Sequence, residues 1–356
     1  MKLRISLLTL IITFILPSTD AHARELCIVV PLTGGQAPFG ESVRRGVIFA
    51  QEQLTSCQPS DPLCPLTQTT ITVEDSAAEP AKAVSAVQQL LRTHRCDAFI
   101  VFGSPPSLAV ADILERARKP TIALGSTDKI QDGRHFIFRG MASAMAITEP
   151  LVAESRRLGF RSIASVATLH DGMLANRDAF EKQRQIPYMK KWEANPNETD
   201  FRAMSAQLHT LKPDAIFISL MPPQASLFAK QVRAAGFRGQ LFSTNQVESF
   251  DELHVAGAAF EGLWYSREGG AETTSFLDSL RKRFPDGNVS LAYLGFDAAR
   301  LLTLALNSGD PVTSLESVKN YPGALGEVSA LPNHSFLSER LLMQVRAGQF
   351  EIKPLS

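Results

Sequence analysis

Apolar residues alternate along the chain between two patterns. Short continuous runs at 26–30, 69–73, 98–102 and 121–124 read as buried strands. Between them lie stretches with helical spacing: residues 39–54, then Val84, Val87, Leu90 and Leu91 after Glu79-Pro80, then 108–117. This βαβαβαβ order predicts a parallel sheet covered by helices on both faces. The pattern then restarts. Helical segments at 142–158, 173–183 and 199–211, the last opened by Thr199, alternate with strands at 162–168, 188–193 and 215–220. Ala225, Phe228, Val232 and Ala235 mark one face of a further helix that Gly236 ends. Strands at 240–243 and 262–265 complete a second sheet. Two helices at 274–284 and 291–306 follow, then a strand pair, 341–345 and 349–352, joined by Ala347-Gly348. No short internal repeat appears, so the expected fold class is α/β, with two doubly wound parallel-sheet lobes.

The first 23 residues stand apart from this pattern. Lys2 and Arg4 precede an apolar run at 5–16, Pro17 ends it, and Ala21-His22-Ala23 supplies a small-x-small cleavage site. This predicts a secretory signal peptide cleaved after Ala23. The run is short for a transmembrane helix, and no later segment approaches the ~20 apolar residues a span needs. Cys27 follows Arg24-Glu25-Leu26 rather than small residues, a poor context for lipid attachment. The length of 356 residues fits about two domains. Lys and Arg total 36 against 36 Asp and Glu, a balance that argues against a nucleic-acid partner.

Export changes how the four cysteines read. In an oxidising compartment Cys27, Cys57, Cys64 and Cys96 are expected to pair, and four cysteines allow three connectivities. Cys57 and Cys64 bracket a Pro-rich loop. Cys27 opens one predicted strand and Cys96 immediately precedes another, so they can pair if those strands are neighbours. A zinc site is the rival, but it wants CxxC-like spacing or nearby histidines, and neither is present. Two structural disulfides are expected, without a fixed connectivity.

Catalytic and nucleotide readings find little support. Gly35-Gln36-Ala37-Pro38-Phe39-Gly40-Glu41-Ser42 has the GxxxxG spacing of a phosphate loop, but Glu41 stands where that loop needs Lys and would repel phosphate. Glu41 instead suits the first turn of a helix. There is no GxSxG, no HExxH and no tight His/Asp/Glu cluster. His170-Asp171 after a strand is one acid–base pair without a nucleophile, better read as a solvated strand-end loop. No enzyme activity, cofactor or metal is expected.

Ser104-Pro105-Pro106-Ser107 and Ser126-Thr127-Asp128 follow the carboxyl ends of two predicted strands, where open α/β sheets gather ligands. Hydroxyls and free backbone N–H groups at helix starts suit a carboxylate. Plain helix capping, by Ser104 or Ser107 with Pro near the first position, accounts for the same spacing. Spacing alone favours capping, because caps are commonplace and sites few.

The order of segments nevertheless resembles a known family. Pro31-Leu32-Thr33-Gly34 through Phe39-Gly40-Glu41-Ser42-Val43-Arg44-Arg45-Gly46 is similar to the opening of the leucine/isoleucine/valine-binding family, type I periplasmic solute-binding proteins of ABC transporters. Glu74-Asp75, Pro80-Ala81-Lys82-Ala83-Val84, residues 103–107, Phe138-Arg139, Thr199-Asp200-Phe201, Pro213-Asp214-Ala215, Gln231-Val232-Arg233-Ala234-Ala235-Gly236 and Phe260-Glu261-Gly262 follow in the family's order. The resemblance implies two lobes joined by a three-crossover hinge and closing on a small solute, a monomer that docks on an inner-membrane ABC permease. Lobe one would comprise 24–140 plus 270–332, and lobe two 141–269 plus 333–356, with crossings near Gly140, Gly269 and Pro332.

By the same resemblance, Ser107 and Thr127 fall where the family binds a ligand carboxylate. Gly125 falls where a backbone carbonyl meets an ammonium, and Phe39 where an aromatic ring lines the pocket. Lobe two departs from the pattern. His170 to Leu174 lacks the usual Tyr-Gly, Leu220-Met221 stands near a common tyrosine position, and Asn245 occupies the place of the carboxylate that pairs with an amino group. Glu248 lies near enough to substitute under a small alignment shift. A buried ammonium wants a compensating carboxylate. The expected solute is therefore a carboxylate with an apolar or aromatic body, with amino acids, amides and ureas as alternatives. A periplasmic sensor acting on a membrane receptor, an exported enzyme and a degenerate, empty cleft are the competing readings.

Overall fold

The computed structural model describes residues 24–56, 69–93, 96–270, 274–285 and 288–353. The first lobe runs β1 (Arg24–Val30), α1 (Ala37–Ser56), β2 (Thr69–Asp75), α2 (Pro80–Thr93), β3 (Ala98–Phe102), α3 (Ser104–Arg116), β4 (Thr121–Leu124) and β5 (Ile137–Arg139). Its strands pair in the order β2-β1-β3-β4-β5, all parallel. Residues 26–30 and 98–102 are buried throughout, which is why they read as unbroken apolar runs rather than alternating ones. Leu26 stands beside Ala98 in the register of β1 and β3. Those strands are neighbours, and Cys27 is bonded to Cys96 with Cα atoms 5.6 Å apart. Joined sulfurs offer no thiolate to a metal. Cys57, Cys64 and the leader ending at Ala23 lie outside the described residues.

The second lobe contains α4 (Ala144–Arg157), β6 (Ile163–Thr168), α5 (Asp171–Arg184), β7 (Lys190–Ala194), α6 (Arg202–Leu211), β8 (Ala215–Ser219), α7 (Gln224–Ala234), β9 (Gln240–Thr244), α8 (Phe250–Ala256) and β10 (Trp264–Glu268). Its parallel part follows the order β7-β6-β8-β9-β10, the same winding as the first sheet. Each sheet therefore reverses direction beside its first strand, and the loops that carry function gather at the carboxyl ends of the strands there. Thr199 does not open α6: Asp200 accepts the Arg202 N–H at 3.1 Å instead, and Thr199 gives its carbonyl to Gln231.

After β10 the chain returns to the first lobe through α9 (Thr274–Arg283), α10 (Ala292–Leu306) and α11 (Pro311–Glu316). Helix α10 lies so close to α1 that a Cβ at Gly46 would overlap the Ala292 carbonyl, and one at Gly295 the Val43 carbonyl. Three short antiparallel strands follow, β11 (Tyr321–Gly323), β12 (Gly326–Ala330) and β13 (Phe336–Ser338). Val328 and Phe336 are buried in the first lobe's core cluster. The chain then enters β14 (Arg340–Arg346) and β15 (Gln349–Ile352), an antiparallel pair that extends the second sheet from β10. The third passage thus lies at Glu339 rather than Pro332, because burial of Phe336 holds residues up to 338 on the first lobe. There Glu339 accepts the Gly269 N–H at 2.7 Å, so two passages are bonded side by side.

Candidate functional site

The carboxyl ends of the two sheets face one another. On the first-lobe side, α3 begins directly after β3 at Ser104, which is buried. Its hydroxyl accepts the Ser126 N–H at 3.1 Å, joining the loops after β3 and β4. A Cβ at Gly125 would stand 2.6 Å from Ile130 Cδ1 and 3.0 Å from Ser104 Oγ, so only glycine lets these loops meet. Pro105 and Pro106 remove two N–H donors from the first turn of α3, leaving hydroxyls to carry more of any anion binding there. Ser107 is buried, and its hydroxyl donates inward to the Val101 carbonyl at 3.3 Å. Thr127 is half-buried at the head of a short 3₁₀ turn, and its hydroxyl makes no capping bond. Phe39, in the first turn of α1, packs into the first lobe's core. Glu41 is bound by Arg44 at 2.6 and 2.7 Å, an ordinary surface pairing within one helix.

The second lobe contributes the loops after β6, β8 and β9. His170 caps α5, its Nδ1 accepting the Gly172 N–H at 3.2 Å, and burial holds its pKa below the usual imidazole value against the pull of Asp171. Met221, after β8, packs against the first lobe's core, so the lobes touch. Between them lies a pocket that is partly open to solvent. Ser126 lines it from the first lobe, Met141 and Ala142 from the first passage, and Ile147, Met173, Asn176, Asn245 and Gln246 from the second. Glu268 closes it from the end of β10.

Of the residues expected from sequence, Asn245 alone is among those lining this pocket, where it is 8% exposed. Ser107, Gly125, Thr127 and Phe39 stand around the first-lobe loops. Glu248 is engaged elsewhere, bound to Arg267 at 3.2 Å; burial raises its pKa and Arg267 opposes this. Met173 rather than Leu174 forms the apolar wall.

Glu268 is the acid that sequence reasoning missed. It is 4% exposed, accepts the Ala142 N–H on one oxygen and the Tyr293 hydroxyl on the other at 3.1 Å. Burial raises its pKa, while those two hydrogen bonds and the charges of Arg139 and Arg340 pull it down. In sequence it reads as a charge at the end of a strand, and only the crossing of the hinge turns it inward. Asn176 was equally hidden, as a polar position inside an amphipathic helix. Its Nδ2 reaches Thr244 at 3.5 Å, while its buried Oδ1 has no hydrogen-bond partner among the described residues. Behind Glu268 a second cavity is lined by Ile122, Leu294, Leu301, Leu325 and Phe336, with Tyr293 and Asp297. Most of its walls belong to the first lobe's core, so it is a hinge cavity rather than part of the cleft.

Two α/β lobes of like winding, joined by three passages around a pocket between them, define the class of type I solute-binding proteins. A family model described as periplasmic binding protein matches residues 26–349, and the chain belongs to that family. It is a family of solute-binding proteins rather than enzymes. A Leu/Ile/Val-binding protein homolog 2 from Brucella abortus is 24% identical over 314 residues, 84% of each chain. The fold is similar to that of the leucine-binding protein LivK from Thermotoga maritima: TM-score 0.82, 19% identity, covering 93% of this chain and 98% of that one. LivJ from Streptococcus pneumoniae, solved with isoleucine, gives a TM-score of 0.82 at 18% identity over 93% and 99%. A Rhodopseudomonas palustris solute-binding protein solved with benzoate gives 0.80 at 18% over 93% and 95%.

Proposed function

We propose that the mature chain, beginning at Arg24, captures a small carboxylate-bearing solute in the periplasm and delivers it to an inner-membrane ABC permease. The solute is amino-acid-like or an aromatic or aliphatic acid. The observation that carries this reading is the pocket between the lobes, polar at Ser126, Asn176 and Asn245 and apolar at Met141, Ile147 and Met173. Solute that bridges both walls stabilises the closed arrangement, which is the usual hinge mechanism of such clefts. We assign the carboxylate to the first-lobe loops, with Ser104 and Thr127 as hydroxyl donors beside Gly125. Ser107, engaged with Val101, supports the turn. The relatives named for leucine, isoleucine and valine and the structure solved with benzoate support both branches of the solute class. Measuring uptake of radiolabelled amino acids and benzoates in cells with and without the gene tests the transport role. Loss of uptake of one solute that the purified protein also binds is expected. Binding without any uptake defect contradicts importer duty and favours a periplasmic sensor of the same fold.

A further inference from the structure

We propose that the end of the second lobe opposite the cleft is a docking surface for an anionic phospholipid bilayer. The inference goes beyond solute capture and does not depend on it. Strands β6 to β10 of that lobe run parallel, so their amino ends and the carboxyl ends of helices α4 to α7 share one face. Hydrogen bonds tie these ends side by side. The Met189 N–H donates to the Ile163 carbonyl at 2.8 Å, Asp214 N–H to Ser162 at 2.8 Å, and Gln240 N–H to Asp214 at 3.0 Å. Arg156 reaches the Gln183 carbonyl, and Arg184 the Phe160 carbonyl at 2.7 Å.

Arg156, Arg161, Lys182, Lys190, Lys212 and Arg238 are exposed on this face, and none of them makes an ion pair among the described residues. The acids nearby are already engaged: Glu154 with Arg157 and Lys353, and Glu181 with Lys191. Asp214 accepts the N–H groups of Arg161 and Ser162 at 2.9 and 2.8 Å. Arg184 adds a buried cation whose Nε and Nη1 have no hydrogen-bond partner among the described residues. The whole chain is balanced, 36 Lys and Arg against 36 Asp and Glu, so the excess here is a segregation of charge. Leu158, Ile186, Met189 and Leu211 stand at the same ends, each between 38% and 47% exposed. Tyr188 is buried between Ile186 and Met189 and holds their loop to α5, its hydroxyl donating to the Arg177 carbonyl at 3.0 Å. Cations in the last turn of a helix also answer its dipole, which accounts for Arg156 and Lys182. It does not account for Arg161, Lys190 and Arg238, which lie past the helix ends, nor for the apolar side chains beside them. A bare anion or a nucleic acid has no use for Ile186 and Met189. A bilayer takes both, because cations meet the headgroup phosphates while short apolar tips enter the interface. Seated this way, the protein leaves its cleft, at the other ends of the strands, open to solute.

Co-sedimentation of the mature chain with vesicles tests this, using equal parts phosphatidylglycerol and phosphatidylcholine against phosphatidylcholine alone. Binding to the mixed vesicles only is expected, weakening as salt rises from about 0.1 M to about 0.5 M and the screening length shortens. Each Lys or Arg near an anionic surface contributes about fivefold, so Arg161→Gln, Lys190→Gln and Lys212→Gln together should weaken binding about 100-fold. Ile186→Ser with Met189→Ser should also weaken it while leaving the salt dependence unchanged. Arg92→Gln, Arg116→Gln and Lys129→Gln, at exposed cations of the first lobe, form the control and should change binding little. Thermal midpoints check that each variant is folded, and the wild-type comparison needs no variant. Absence of binding to the mixed vesicles, or equal binding to both kinds, overturns the inference and leaves solute capture intact. An equal loss in the control and the second-lobe triple variant overturns the assignment to this face. Unchanged binding after both serine substitutions overturns the bilayer in favour of a purely polyanionic partner.

Discussion

Tyr293 in α10 donates its hydroxyl to the Glu268 carboxyl at 3.1 Å, fastening the first lobe to the strand end from which the chain returns to it. The other carboxyl oxygen accepts the N–H of Ala142, on the outgoing passage. One side chain therefore fixes the relative position of two passages and of a core helix. Removing the Tyr293 hydroxyl leaves a buried carboxyl with one bond fewer, at a cost of about 1–3 kcal/mol. Tyr293→Phe should lower the urea midpoint with little change in slope, since the surface exposed on unfolding is unchanged. An unaltered midpoint contradicts this account of the hinge.

Asp297 lies on the same helix, one turn on, beside the hinge cavity. Burial and the charge of Glu268 push its pKa up to about 7, against the Ala324 N–H and Arg300. A carboxyl raised in the folded state stabilises most when both states are protonated, below the usual carboxylate range. That stability is lost as pH rises towards about 7. Asp297→Asn keeps an acceptor for the Ala324 N–H and removes the titration. It should raise the thermal midpoint at pH 8 and have much less effect at pH 4; equal effects at both values contradict the assignment.

The first-lobe loops give a third prediction. Ser104→Ala and Thr127→Ala should each weaken binding of a carboxylate solute by about 1–3 kcal/mol, read by calorimetry. Ser107→Ala should cost binding less than either, because its hydroxyl already serves Val101. A larger loss at Ser107 than at Ser104 would move the carboxylate to the second turn.

The lobes were legible in the sequence wherever burial on both sheet faces made a strand continuously apolar. Residues 98–102 and 121–124 coincide with β3 and β4 for that reason. The short elements were not. Strand β5 has three residues, and β11 to β13 are three to five residues long and interrupted by Pro322 and Gly323. They are strands because Phe138, Val328 and Phe336 find the first lobe's core, a tertiary fact with no local period. The site followed the same division. Loops after strands were identifiable from position, which drew attention to Ser107, Thr127 and Asn245. Glu268 and Asn176 were not, because nothing near them in sequence shows that a hinge and a helix face turn them into one pocket.

The disulfide prediction separates the described bridge from the remaining pair. Cys27–Cys96 alone lowers the native mass by about 2 Da against the reduced chain, and a Cys57–Cys64 bridge brings the difference to about 4 Da, two hydrogens per bond. We expect 4 Da under non-reducing conditions. A mass equal to that of the reduced chain contradicts both bridges.

Solute capture between the lobes is tested most directly by thermal midpoints of the wild type and Ser126→Trp across a panel of amino acids, aliphatic and aromatic carboxylates, amides and ureas. Ser126 lines the pocket from the first lobe, and an indole there fills it. A solute at 100 times its dissociation constant adds about 2.7 kcal/mol, a readily measured rise. The account predicts a rise in the wild type that vanishes in a folded Ser126→Trp protein. A rise of the same size in both would place binding outside the cleft and contradict it.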